Sequence, residues 1–211
     1  SNIFSWSYIP VPGYDFFDSY VADTNAIFYI LDGNVFFYDG NISNQIYNEL
    51  TDGEALSIDG RGNNLIYIGG SGGSSLNEYP WLKKWNGANL EDINLPIDSN
   101  DQVNEVCVET QNSVWFAGIS GRIYHYNGIS VSSYFINLPN TYPILFLKDN
   151  QIYFYTESLT NYGLRYVYKF NNNDWELVIA DTSNFGLNFS SMRLFTFGNN
   201  TLRKTARYLQ E

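Results

Sequence analysis

Residues 114–128 read VWFAGISGRIYHYNG. The run Val114-Trp115-Phe116-Ala117-Gly118 is compact and apolar, and Ile119-Ser120-Gly121-Arg122 has the composition of a tight hairpin turn. Ile123-Tyr124-His125-Tyr126 forms the next strand-like run. It is followed by Asn127-Gly128. That dipeptide predicts a two-residue type I′ turn, whose central positions both need positive φ, a conformation that Asn and Gly tolerate best. Upstream, residues 101–108 alternate, with Val103, Val106 and Val108 as apolar members. Downstream, residues 131–136 make a fourth run, closed by Leu138-Pro139. Four short strands (A, B, C and D) joined by tight turns spell an antiparallel meander.

The same grammar recurs along the chain. The first unit has 27–30, the turn Asp32-Gly33, 35–38 and then Asp39-Gly40. The second has 56–58, 65–68 and 82–85 before Asn86-Gly87. The fourth has 144–147, 151–155, 166–170 and Asn171-Asn172, and the fifth has 187–189, 193–197 and 201–208. An aromatic residue closes strand C each time: Tyr38, Trp85, Tyr126, Phe170 and Tyr208, spaced by 47, 41, 44 and 38 residues. Repeats of about 40–50 residues made of short strands are the signature of a β-propeller blade. The expected fold is therefore all-β: a five-bladed β-propeller with four antiparallel strands per blade, filling residues 1–211 as one domain. The units run approximately 3–40, 41–87, 88–128, 129–172 and 173–211. The chain opens on a D-like run, Trp6-Ser7-Tyr8-Ile9, and ends soon after a C-like one. Residues 3–9 are expected to pair with 201–208 and close the ring, which removes an open sheet edge.

The stretch 114–128 resembles the repeats of bacterial two-component-regulator-type propellers. The stretch 6–23, with Val11-Pro12-Gly13, is faintly similar to tectonin-type repeats, where Trp6 and Trp175 occupy matching positions and Tyr47, Leu90 or Tyr134 stand in the other units. The first resemblance implies a sensing or structural domain of a larger protein. The second implies lectin activity.

Eleven Lys and Arg stand against 22 Asp and Glu, a net charge of −11. Such a surface repels phosphate backbones and anionic lipid, so neither nucleic acid nor membrane insertion is expected. The basic residues Arg193, Arg203, Lys204 and Arg207 gather in the last unit, where they read as a solvated outer strand before an anionic docking patch. No apolar run approaches the ~18 residues of a membrane span. The opening Ser1-Asn2 resembles a tag scar, compatible with a trimmed leader. A secreted, periplasmic or cell-surface setting is favoured over a cytoplasmic one, and a monomer over an oligomer. The single cysteine, Cys107 between Val106 and Val108, reads as a small buried hydrophobe. Aromatics at 18% read first as packing between blades.

Departures from the minimal blade sit in the B–C connections of two units. Residues 69–80 carry Gly-Gly-Ser-Gly-Gly-Ser-Ser followed by Asn77-Glu78-Tyr79-Pro80-Trp81, and residues 156–163 carry Glu157, Asn161 and Tyr162. Long loops on a rigid scaffold often carry function. The Gly/Ser stretch reads equally as a mobile flap over a site or as a floppy neutral insertion, and it lacks the lysine and following helix of a phosphate loop. The expected ligand-binding residues are Tyr79, Trp81, Glu157 and Tyr162, on the face that bears these loops. The expected function is a non-catalytic module that recognises a protein segment or a glycan. No catalytic residue, cofactor or metal is expected: His125 is the one histidine, a packing residue with no nucleophile beside it in the sequence, and zinc chemistry lacks ligands. Two Asp/Asn-rich stretches, 98–101 and 59–63, read as turns before calcium loops. The alternative is a glycoside hydrolase with two carboxylates converging at the central channel, drawn from Asp15, Asp18, Asp23, Glu54, Asp59, Asp101, Glu105 and Glu109.

Overall fold

The computed structural model describes residues 15–23, 25–74, 77–96, 101–137, 141–158 and 164–181, with the backbone of 193–196 and 202–205. Within them the chain forms four antiparallel four-stranded meanders. The first is β1 (Phe16–Asp23), β2 (Ala26–Leu31), β3 (Asn34–Tyr38) and β4 (Ser43–Tyr47). A one-turn helix, α1 (Glu49–Asp52), leads to β5 (Glu54–Gly60), β6 (Ile66–Ser74), β7 (Asn77–Trp85) and β8 (Leu90–Ile93). The third sheet is β9 (Glu105–Thr110), β10 (Ser113–Ala117), β11 (Arg122–Tyr126) and β12 (Val131–Phe135). The fourth is β13 (Thr141–Lys148), β14 (Gln151–Ser158), β15 (Arg165–Asn171) and β16 (Asp174–Asp181). β17 (Arg193–Thr196) and β18 (Leu202–Thr205) pair as a two-stranded ribbon.

The second and third sheets are buried on both faces, and the two-residue period of a strand decides which neighbour a side chain meets. In the third sheet, Val106, Val108, Val114, Phe116 and Tyr124 pack toward the second sheet, against Tyr67 and Leu82. Their immediate sequence neighbours Cys107, Trp115, Ala117 and Ile123 pack toward the fourth, against Leu145, Ile152 and Phe154. Ile66, Ile68 and Trp81 face the first sheet, against Phe28, Ile30, Val35 and Tyr47. The hydrophobic core is thus a series of interfaces between successive sheets. Cys107 is 2% exposed, as a small hydrophobe should be.

The first strands of successive sheets lie side by side and are tied by side chain–to–backbone bonds. Asp18 Oδ2 on β1 accepts from Ser57 Oγ and from Ile58 N–H on β5, both at 3.0 Å. Ser57 Oγ accepts from Val106 N–H on β9 at 3.1 Å, and Asp59 Oδ2 accepts from Val108 N–H at 2.7 Å.

Three outer corners share one loop. After β3, β7 and β11 the residue leaving the strand is Asp39, Asn86 or Asn127, and its main-chain N–H reaches the carbonyl three residues on. Its side-chain oxygen accepts two further main-chain N–H groups. The following glycines, Gly40, Gly87 and Gly128, have φ of +94°, +97° and +90°. This corrects the expected type I′ turn at Asn127-Gly128. Asn127 keeps negative φ and works through its side chain, closing a four-residue loop. Two consecutive left-handed residues, the φ signature of type I′, occur instead at Asp32-Gly33, Asp149-Asn150 and Asn172-Asn173.

Four complete sheets and a ribbon are present where five blades were expected, and no closed ring forms among the described residues. The expected closing strand, residues 3–9, lies outside them.

Candidate functional site

Residues 69–74 and 77–80 are not a flap. β6 and β7 pair continuously, with Gly69 opposite Leu82, Gly70 opposite Trp81, Gly72 opposite Tyr79 and Ser74 opposite Asn77. The glycines are there because aromatic rings lie across them. A Cβ at Gly70 would stand 2.2 Å from Trp81 Cζ2, and one at Gly72 would stand 2.5 Å from Tyr79 Cζ. On the opposite face, a Cβ at Gly69 would stand 2.2 Å from Val103 Cγ1. Composition that suggests flexibility in isolation here creates room for cross-strand aromatic–glycine packing.

Tyr79, Trp81 and Lys83 fall on one face of β7, and Asp92 joins them as the cross-strand partner of Lys83. Tyr47, at the end of β4, approaches from the first sheet, its ring centroid 5.1 Å from that of Trp81. The Lys83 ammonium lies 5.7 Å from the Trp81 ring and 5.9 Å from the Tyr47 ring. It donates to Asp52 Oδ2 at 2.8 Å and to Asp92 Oδ1 at 2.5 Å. Burial works against its charge, but the bonds to the two carboxylates outweigh that, and its pKa is raised. The Tyr47 phenol is pushed up by burial and then by Asp52, and it donates to Gly53 O at 2.6 Å.

Helix α1 places Asp52. Asn48 caps it, its Oδ1 accepting from Leu50 N–H at 2.9 Å, and Gly53 ends it at φ +101°. A Cβ on Gly53 would stand 2.2 Å from Ser71 O, so the helix is pressed against β6. Between these walls runs a groove of about 430 Å³. Its sides are residues 45–48, Thr51 and Asp52 of the first sheet and its exit, and Lys83 and Leu90 of the second.

Of the four residues expected from sequence, Tyr79 and Trp81 share a face of β7 with Lys83, the β7 residue that lines the groove, and Trp81 packs behind the lining residue Tyr47. Tyr79 is 39% exposed, whereas Trp81 is 7% exposed, and no hydrogen-bond partner is present for its Nε1–H. Trp81 therefore supports the groove from beneath. Glu157 lies on β14 in the fourth sheet, 3.4 Å from the Tyr155 hydroxyl and 3.9 Å from Arg165 Nε. Tyr162 lies outside the described residues, as do 98–100 of the Asp/Asn-rich stretch. Sequence reasoning missed Tyr47, Asp52, Lys83 and Asp92. Lys83 and Asp92 were findable once the register of β7 and β8 was fixed; Asp52 depends on the helix.

Four of the eight carboxylates expected at a central channel bind separate donors. Asp18 and Asp59 bond main chain of the next sheet. Asp101, 1% exposed, accepts from Ser120 Oγ at 2.6 Å and from Tyr124 OH at 3.4 Å. Glu109 accepts from Ser113 Oγ at 2.7 Å and from Trp115 Nε1 at 3.0 Å. Among the described residues, no group of three or more His, Cys, Asp or Glu is arranged to hold a metal.

A serine does stand beside His125, contrary to the sequence expectation: Ser113 Oγ lies 2.7 Å from its Nε2. Ser113 Oγ donates its single proton to Glu109, and in the imidazole tautomer that suits this bond Nε2 donates to Ser113 rather than withdrawing its proton. That is the reverse of what activates a nucleophile. The imidazole is stacked on Trp115 at 4.0 Å and serves packing.

No protein-family model matches the sequence. No curated protein matches it either. Solved structures do. YCF48 bound to D1 peptide superposes with a TM-score of 0.62 at 14% identity, covering 87% of this chain and 59% of that one. The extracellular domain of BT4673 from B. thetaiotaomicron gives 0.61 at 17% identity, covering 97% and 28%. The WD40 repeats of RRP9 give 0.55 at 13% identity, covering 80% and 52%. The fold is that of a β-propeller. The chain spans less than two-thirds of each of these three proteins.

Proposed function

We propose that this chain is a non-catalytic recognition domain that holds a segment of another polypeptide in the groove between its first two sheets. The observation that carries this reading is the groove itself. It has walls on two sheets, Tyr47 in its lining with Trp81 packed behind that ring, and Tyr79 exposed on the same face of β7 as the lining residue Lys83. Concave, partly apolar surfaces with a few placed polar groups are where ligands bind. That a neighbour in fold, YCF48, is described as bound to a peptide supports the class of ligand. In this reading Tyr79 is the contact residue and Trp81 its support, while Glu157, on the fourth sheet, and Tyr162 would add a second contact. The setting is secreted, periplasmic or cell-surface. A glycan is the second reading, favoured by the amide and hydroxyl side chains of Gln45, Asn48 and Thr51 in the wall.

The test is parallel screening on a peptide array and a glycan array, with wild type and Tyr79→Ala. Peptide binding that the substitution weakens, in a protein whose circular dichroism is unchanged, supports the site. Equal binding by both proteins removes the groove from consideration, and binding only to sugars replaces the peptide reading with the glycan one.

A further inference from the structure

The groove already contains a bound alkylammonium, the chain's own. Lys83 Nζ lies between Asp52 and Asp92 and against the faces of Tyr47 and Trp81. The three ionisable groups leave one negative charge uncompensated. The Lys83 side chain is 9% exposed, whereas those of Asp52 and Asp92 are 41% and 75% exposed. The cation is thus sheltered and the two anions present free faces to solvent. Each carboxylate has about four lone-pair sites and can accept more than one donor. The chain as a whole carries −11.

Building on the peptide reading, we propose that the groove selects an extended segment carrying a lysine or arginine, and that this cation seats on the outer faces of Asp52 and Asp92, beside Tyr79. Charge complementarity identifies the occupant. An acidic segment would meet two exposed carboxylates with only a sheltered, already paired ammonium to answer them, so like-charge repulsion excludes it. The wall strand favours an extended backbone. Among the described residues β4 is the outer strand of its sheet, paired only with β3, and residues 45–47 line the groove. An edge of this kind takes an added strand through main-chain bonds.

The experiment is selection of a displayed library of random ten-residue peptides on the wild-type chain, followed by affinity measurement with the enriched peptides made synthetically. Enrichment of Lys or Arg at one position is the expected result. Replacing that residue with Gln should weaken binding about fivefold, as expected for a partly exposed ion pair. Asp92→Asn should weaken the basic peptide by a similar factor and leave the Gln peptide unchanged. Raising salt from low to physiological strength should weaken the basic peptide alone. Enriched peptides with no basic preference, whose affinity ignores Asp92→Asn, overturn this inference while leaving the peptide-binding function standing. Failure to enrich any peptide refutes both.

Discussion

Substituting Gly70 by Ala separates a packed strand from a flexible loop by the sign of its effect. In the structure, the added carbon would stand 2.2 Å from the main-chain oxygen of Glu54 and 2.2 Å from Trp81 Cζ2. Non-bonded carbons rest about 3.5–4 Å apart, so each neighbour must retreat by more than 1 Å. One of them is backbone of β5 and does not move alone; the other is a buried indole wedged against Tyr47. Overpacking of this kind costs about 1–3 kcal/mol, and two simultaneous obstructions put Gly70→Ala near the top of that range. For a chain of this length, ~3 kcal/mol corresponds to a fall of about 6–12 °C in Tm. If 69–75 were instead a mobile loop, the same change would stabilise by about 0.4–1 kcal/mol through the unfolded state. Gly62→Ala provides a comparator. An added Cβ would stand 3.9 Å from Asn64 Oδ1, an ordinary contact, and its φ of +76° is the only source of cost, about 1–2 kcal/mol. Urea unfolding, with m unchanged so that midpoints can be compared, should rank Gly70→Ala well below Gly62→Ala. A Gly70→Ala protein as stable as wild type, or more so, would refute the reasoning.

Lys83→Met should destabilise by only about 1–2 kcal/mol, because Asp52 and Asp92 are exposed enough to rehydrate when the ammonium leaves. Since the pKa of Lys83 is raised, its contribution is complete below the ordinary lysine value of 10.5 and is lost as pH rises through the higher folded value. The gap between wild type and Lys83→Met in urea melts should be flat from about pH 6 to 9 and close only in strong alkali. The pKa of His125 is lowered, by burial first, with Glu109 opposing. The unfolded chain therefore binds the proton more readily, and stability should fall as pH drops below about 6.5. His125→Gln should flatten that limb, and an unchanged acid slope would count against the assignment. Asp18→Ala removes an acceptor shared by Ser57 Oγ and Ile58 N–H and should cost about 2–3 kcal/mol, seen as a lower urea midpoint; a neutral result would mean that water replaces it.

The strands were legible because alternation is a local property. Residues 103–108, 114–117 and 123–126 announce their two faces in sequence, and the structure places those faces against different neighbours. The repeated aromatic at the end of strand C was legible too, and Tyr38 and Tyr126 explain two of its instances by donating to Gly40 O and Gly128 O. What was not legible depends on register. Gly70 and Gly72 look like linker residues until Trp81 and Tyr79 are known to lie opposite them. Ser113 reaches His125 only because Val114 pairs with Tyr126. The groove needed a helix of one turn, which no periodicity announces, to bring Asp52 across to Lys83.

The ties between the inner strands have a direction. The carboxylates are on the earlier sheet and the N–H groups on the later one: Asp18 serves Ile58, and Asp59 serves Val108. A chain shortened from its C-terminal end leaves carboxylates without donors, and water readily replaces those. A chain shortened from its N-terminal end strands main-chain donors that were built to be covered, which costs more. Truncation tolerance should therefore be polar, greater from the C-terminal side. Because synthesis proceeds from the N-terminus, the second and third meanders emerging from the ribosome each meet a neighbour that already displays the acceptors they need.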